Sequence, residues 1–133
     1  MITIANLSVS YCAGESVLDS LCLDLAEQAI HGIVGLNGAG KTTLFDTLFG
    51  LKQPQEGTVS YNGRPLTKKD TAYLPAENFF YSHITGAEYV SLFPCPGFDR
   101  EAWNALFGLP LNRLIDEYST GMKKKLALLG IIG

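Results

Sequence analysis

Gly35-Leu36-Asn37-Gly38-Ala39-Gly40-Lys41-Thr42 decides how the rest of the chain is read. The stretch fits the pattern G-x-x-x-x-G-K-[ST], and each residue type in it has a physical task. Glycines let the backbone curl until successive N–H groups face one concavity, where larger side chains would block an anion. A helix starting near Lys41 adds the positive end of its dipole, the Lys41 ammonium reaches the β- and γ-phosphates of a nucleoside triphosphate, and Thr42 offers a hydroxyl to Mg²⁺. The expected cradle is therefore Gly35, Asn37, Gly38, Ala39, Gly40, Lys41, Thr42 and Thr43, with Lys41 the cation that acts on the transferred phosphate and Thr42 the metal contact. The same residues also suit a plain glycine-rich turn, so the flanks matter. Upstream, Ala29 to Val34 is a continuous apolar run of the kind found in a central strand covered on both faces. Downstream, Leu44, Phe45, Leu48 and Phe49 give Lys41 to Phe49 an apolar helical face, with Gly50 as terminator. Strand, loop and helix in that order are the context that the phosphate pattern requires.

Farther out, Ile2, Ile4, Leu7, Val9 and Tyr11 fall near period two, and Leu21, Leu23 and Leu25 repeat it, which predicts two antiparallel strands joined around Gly14. Thr58 to Tyr61 reads as a strand closed by the hairpin dipeptide Asn62-Gly63, and Thr71 to Leu74 as a strand ended by Pro75. Helical signals follow. Thr85-x-x-Glu88 matches a capping box, Pro94 and Pro96 enforce a break, Asp99 caps a helix through Trp103, Leu106 and Phe107 to Gly108, and Ser119 caps a third helix running to about Leu129. The expected architecture is α/β: an antiparallel start, a core strand with the anion loop, then a small helical region with no linker between them.

The bulk properties fit one modest domain. At 133 residues and 47% apolar content the chain can bury a core without disulfides or metals. A net charge of -3 gives no case for a broad nucleic-acid-binding surface, and Lys123 to Lys125 is the one basic run, so no nucleic-acid partner is expected. Cys12, Cys22 and Cys95 lack metal spacing, and their odd number with no secretory signal suggests reduced thiols in a cytosolic compartment. No apolar stretch approaches the roughly 18 residues that cross a bilayer, so membrane association is expected to come through a partner.

Tyr118-Ser119-Thr120-Gly121-Met122-Lys123-Lys124-Lys125-Leu126 resembles the signature of ATP-binding cassette (ABC) ATPases, in a Tyr-Ser-x-Gly-Met form of the more usual Leu-Ser-Gly-Gly-Gln. Together with the cradle it implies a P-loop NTPase-like mixed sheet with an antiparallel start and a helical subdomain. The resemblance implies that ATP with Mg²⁺ is the ligand. It also implies that Ser119 and the N–H groups near Gly121 contact the γ-phosphate of ATP held by a second ABC subunit in a head-to-tail dimer. Read from local pattern alone, Ser119 is a helix cap, and the two roles are compatible. Tyr11 falls where the family places an adenine-stacking ring, whereas a Tyr ending a strand otherwise reads as a packing residue. Tyr73-Leu74-Pro75-Ala76-Glu77-Asn78 resembles the segment whose glutamine touches Mg²⁺; that position is Ala76 here, leaving Glu77 either a substitute oxygen ligand or a solvated loop carboxylate.

The resemblance covers residues 1–133 as a partial ATP-binding domain: 1–77 the nucleotide-binding core, 78–118 the helical subdomain and 119–133 the signature helix. The family's later aspartate-ended strand, catalytic glutamate and switch histidine have no counterpart here, so hydrolysis by these residues alone is not expected, and His31 and His83 are read as structural or surface residues. The implied role is that of an ATPase subunit of an ABC transporter, cytoplasmic and peripheral to the inner face of the membrane through a separate transmembrane permease subunit. The alternatives are a soluble non-transport ABC protein and a non-hydrolytic nucleotide-binding fragment.

Overall fold

β1 (Ile2–Cys12) is the strand around which the first half of the chain is organised. In the computed structural model, which describes residues 1–12 and 15–132, it pairs antiparallel with β2 (Glu15–Leu25) on one side and with β3 (Glu56–Tyr61) on the other. A short β4 (Arg64–Pro65) completes a four-stranded sheet in the order β2-β1-β3-β4. The turn around Gly14 lies outside the described residues. Ile4, Leu7 and Val9 are buried, although Ile4 and Leu7 are an odd number of residues apart. Asn6, at φ 51°, supplies the missing half-step: the register of β1 shifts between Ile4 and Leu7, and the strand returns Leu7 to the core face. Opposite the bulge stands Gly57 at φ +88°, where a Cβ would run into the Asn6 carbonyl.

α1 (Lys41–Leu48) lays Leu44 onto this sheet, forming a core with Ile4, Leu7, Val9 and Leu18. Each such side chain, taken out of water, contributes about 1.5–3 kcal/mol. The helix stops as expected. Gly50 at φ 74° directs its N–H to the Thr47 carbonyl at 3.0 Å, and Leu51 N–H reaches the Asp46 carbonyl at 2.8 Å, the paired bonds of a Schellman ending. Asn62 and Gly63 both take positive φ, 49° and 80°, and join β3 to β4 as the dipeptide predicts.

Two expected strands are not found. Ala29 to Val34 makes no ladder; Ile33 packs against the sheet core, but Ile30 and Val34 are 103% and 97% exposed, so the run is not covered on both faces. A wholly apolar strand needs neighbours along its edges and layers on both faces. Both edges of β1 are already taken by β2 and β3, and no described strand lies beside 29–34. Thr71 to Leu74 lacks a ladder for the same reason.

The described chain forms two compact units, Met1–Ala72 and Tyr73–Gly133. The second contains α2 (Gly86–Ser91), α3 (Arg100–Phe107) and α4 (Thr120–Ile132), the last running past the expected end at Leu129. Tyr89, Val90, Leu109, Ile115, Tyr118, Leu126 and Leu129 make its core. Small residues set the close contacts: a Cβ on Gly86 would collide with the Tyr118 hydroxyl, which donates to the Pro110 carbonyl at 2.7 Å. The α/β class expected from the sequence holds, with an antiparallel sheet first, the anion loop and α1 next, and helices after them.

Candidate functional site

The loop closes on itself before the helix begins. Ala39 N–H donates to the Leu36 carbonyl at 3.1 Å, Gly38 and Gly40 both take φ 85°, and Gly40 becomes the residue ahead of α1. At Gly40 a side chain is excluded twice, by the left-handed backbone and because a Cβ would sit 2.8 Å from Leu18 Cδ2 and 3.0 Å from the Val17 carbonyl. Gly40 cannot offer an oxygen to the first amides of α1, no side chain caps them, and no acidic residue occupies the first turn. A helix start left open in this way presents N–H groups and a positive dipole end to an anion.

Lys41 shows what the loop does with its cation. Its Nζ donates to the carbonyls of Gly35 at 2.8 Å and Leu36 at 2.7 Å, which folds the ammonium back over the loop entrance. Two neutral carbonyls are weaker partners than phosphate oxygens, so an anion in the pocket would draw the ammonium to itself. The pocket, about 360 Å³, is lined by Tyr11, Val17, Asn37, Gly38, Gly40, Lys41, Thr42 and Thr43. Thr43 is buried and its hydroxyl lies 3.1 Å from the Tyr11 hydroxyl, whereas Thr42 is exposed, its hydroxyl clear of the helix core. Gly35 and Ala39 belong to the loop without lining the pocket.

The structure thus brings together Tyr11 and the loop residues that the sequence singled out. Ser119 and Gly121 belong to the second unit, at the start of α4. There the Ser119 hydroxyl accepts from Met122 N–H at 3.3 Å, the bond of a helix cap, while the space beside Gly121 is open. Ala76 and Glu77 are exposed, and no group of three or more His, Cys, Asp or Glu among the described residues could hold a metal ion. A magnesium ion here would take most of its oxygens from phosphate and water, with Thr42 as the protein contact. His31 meets the Ala26 carbonyl through Nε2 at 2.9 Å, and His83 donates its backbone N–H to Asp116 at 2.9 Å; both residues are exposed.

Three residues were not legible as site residues beforehand. Val17 lines the pocket and sets the space available to Gly40. Lys52 places its Nζ 2.9 Å from the centroid of the Tyr11 ring. Gln55 holds the backbone beside that ring, accepting from Ser10 N–H at 2.9 Å and donating to the Ser10 carbonyl at 3.3 Å. A second, larger cavity of about 430 Å³ lies between the end of α1 and the β3–β4 hairpin, and Lys52 lines this one.

Comparison with known proteins places the whole arrangement. The ABC transporter family profile matches residues 18–132. The ABC transporter ATP-binding protein YhaQ of Bacillus subtilis (strain 168) is 32% identical over 145 residues, covering 99% of this chain and 48% of that protein. YtrB of the same organism, also an ABC transporter ATP-binding protein, is 31% identical over 125 residues, covering 86% of this chain and 43% of its own length. A solved ATP-binding subunit of an ABC transporter superposes with a TM-score of 0.77 at 25% identity, covering 98% of this chain and 60% of that one. The chain therefore spans less than half the length of these two relatives. With an open helix start behind a P-loop and a family match running nearly from end to end, the chain belongs to the ABC transporter family of ATP-binding proteins.

Proposed function

We propose that residues 35–43 bind the phosphates of ATP with Mg²⁺, and that the chain serves as the nucleotide-binding part of a transporter ATPase subunit. The observation that carries this reading is the uncapped start of α1 behind two left-handed glycines, with the Lys41 ammonium parked on loop carbonyls beside it. In this reading the amides of Asn37 to Thr43 hold phosphate oxygens, Lys41 moves onto the β- and γ-phosphates, and Thr42 donates a hydroxyl oxygen to the metal. Magnesium, when bound, would neutralise part of the phosphate charge. Tyr11, its hydroxyl held by Thr43, offers a ring face to adenine.

Binding is the step assigned to these residues. Hydrolysis also needs a carboxylate that orients the attacking water, and the resemblance puts that group after the signature helix. Ser119 and Gly121, at the start of α4, are assigned to the γ-phosphate of a nucleotide held by a second subunit in a head-to-tail dimer, in addition to the cap that Ser119 makes. Coupling is assigned to a separate permease subunit on the cytoplasmic face, as the relatives' names as ABC transporter ATP-binding proteins support. The named functions of the relatives, ATP binding in ABC transport, agree with this assignment.

Calorimetric titration with MgATP tests the reading. Lys41→Ala is expected to weaken binding by about ten- to a hundredfold, the worth of a charge-assisted contact to phosphate. MgATP and MgADP uptake unaffected by the substitution would overturn it.

A further inference from the structure

We propose that Lys52 is a positioning residue for the nucleotide base, holding the Tyr11 ring from behind so that its other face is presented to the ligand. The proposal rests on the nucleotide reading above and goes beyond it, because nothing in the phosphate pattern involves residue 52. Three observations place Lys52. Its Nζ stands 2.9 Å from the Tyr11 ring centroid, over the electron-rich face. Lys52 lines the 430 Å³ cavity and not the phosphate pocket, whereas Tyr11 lines the phosphate pocket and not that cavity. Lys52 thus covers the Tyr11 ring without itself lining the phosphate pocket. Despite that cover Tyr11 is 62% exposed, so the residue keeps free surface on which a flat ligand could stack.

The chain around Lys52 is built to hold it there. Leu51 and Lys52 both direct their N–H groups to the Asp46 carbonyl, at 2.8 and 3.3 Å, so the chain turns at once on leaving α1. Gln55 N–H donates to the Ser8 carbonyl at 3.0 Å, and the Gln55 side chain bonds both backbone groups of Ser10. Residues 51–55 are thereby laid alongside the end of β1, which carries Tyr11. The ring is fixed at three points: its own strand, its hydroxyl on Thr43 at 3.1 Å, and the ammonium over one of its faces. A ring already fixed loses little rotational freedom when a base stacks on it, so more of the stacking interaction appears as affinity. The effect acts on the base alone and not on the phosphates.

The test separates base from phosphate. The full chain is titrated calorimetrically with MgATP and with magnesium tripolyphosphate, as the unsubstituted protein and as Lys52→Met, which keeps the aliphatic stem and removes the charge, and Lys52→Arg, which restores a cation. Lys52→Met is expected to weaken ATP binding by about two- to fivefold, the strength of an exposed cation–π contact, with tripolyphosphate unchanged and with Lys52→Arg close to the parent. Equal loss for both ligands would overturn the proposal, since Lys52 would then act as a distant charge on the phosphates. Unchanged or tighter ATP binding in Lys52→Met would overturn it as well, the ammonium being then irrelevant to the base or in competition with it. An unsubstituted chain that binds both ligands equally would defeat the role of Tyr11 and Lys52 while leaving the phosphate site standing; binding of neither would defeat the site itself.

Discussion

The starts of the helices divide into two kinds. α2, α3 and α4 each close their first turn with a side chain of their own: Thr85 accepts from Glu88 N–H at 3.2 Å, Asp99 from Ala102 N–H at 3.0 Å, and Ser119 from Met122 N–H at 3.3 Å. α1 does the opposite, with Gly40 at φ 85° ahead of it and neither a side-chain cap nor an acidic residue in its first turn. A helix that serves only the fold satisfies its first amides internally, because an exposed and uncapped start costs about 0.5–2 kcal/mol. The exception falls at the site proposed for the phosphates. Ser119 belongs to the first kind by geometry, so any contact it makes with a nucleotide would be in addition to capping.

The contrast can be broken most severely at Gly40. Gly40→Ala forces a side chain into left-handed backbone and against Leu18 and Val17, and is expected to cost about 2–4 kcal/mol in a urea melt followed by circular dichroism, together with loss of MgATP binding. Thr85→Ala, at a start of the other kind, is expected to cost about 1 kcal/mol and to leave MgATP binding unchanged; the chain's single tryptophan, Trp103 in α3, reports on that unit by fluorescence. The smallest effect is an acid one. The Thr85 backbone N–H, at 2.7 Å, and then its hydroxyl, at 2.8 Å, hold the Glu88 carboxyl below its ordinary value of 4.5. Because the folded-state value is depressed, the stabilisation is complete above pH 4.5 and is lost as the pH falls through the depressed value. Trp103 fluorescence on acidification is expected to show a shallower loss for Glu88→Gln than for the parent, and identical curves would remove Glu88 from the account.

Local patterns carried most of what could be read in advance. The cap residues, Gly50, Gly108 and the Asn62-Gly63 turn act over a few neighbours, so their meaning is visible in a short window, and the structure puts each where that window implies. The glycine turn at 35–40 and the helix that follows it were legible for the same reason. Ala29 to Val34 and Thr71 to Leu74 were misread because being a strand depends on a neighbour to pair with, which a run of apolar residues cannot itself supply. Lys52 and Gln55 were invisible because their partners, Tyr11 and Ser10, lie more than forty residues away in the chain. Nothing in a Lys-Gln-Pro-Gln stretch announces that it will lie beside the end of the first strand.

The abrupt stop of α1 at Gly50 has a consequence for length. Eight residues of helix measure about 12 Å. One end of this rod meets the pocket proposed for the phosphates, and the chain leaving its other end carries the Lys52 ammonium to the Tyr11 ring. The length of the helix thus sets where the chain that carries Lys52 leaves it, and with that the placement of the ammonium on the Tyr11 ring. Inserting or deleting one residue within it would rotate the outgoing chain by roughly 100° and carry Lys52 away from the ring, so the stretch from Lys41 to Gly50 has less freedom to change in length than the surface turns around it.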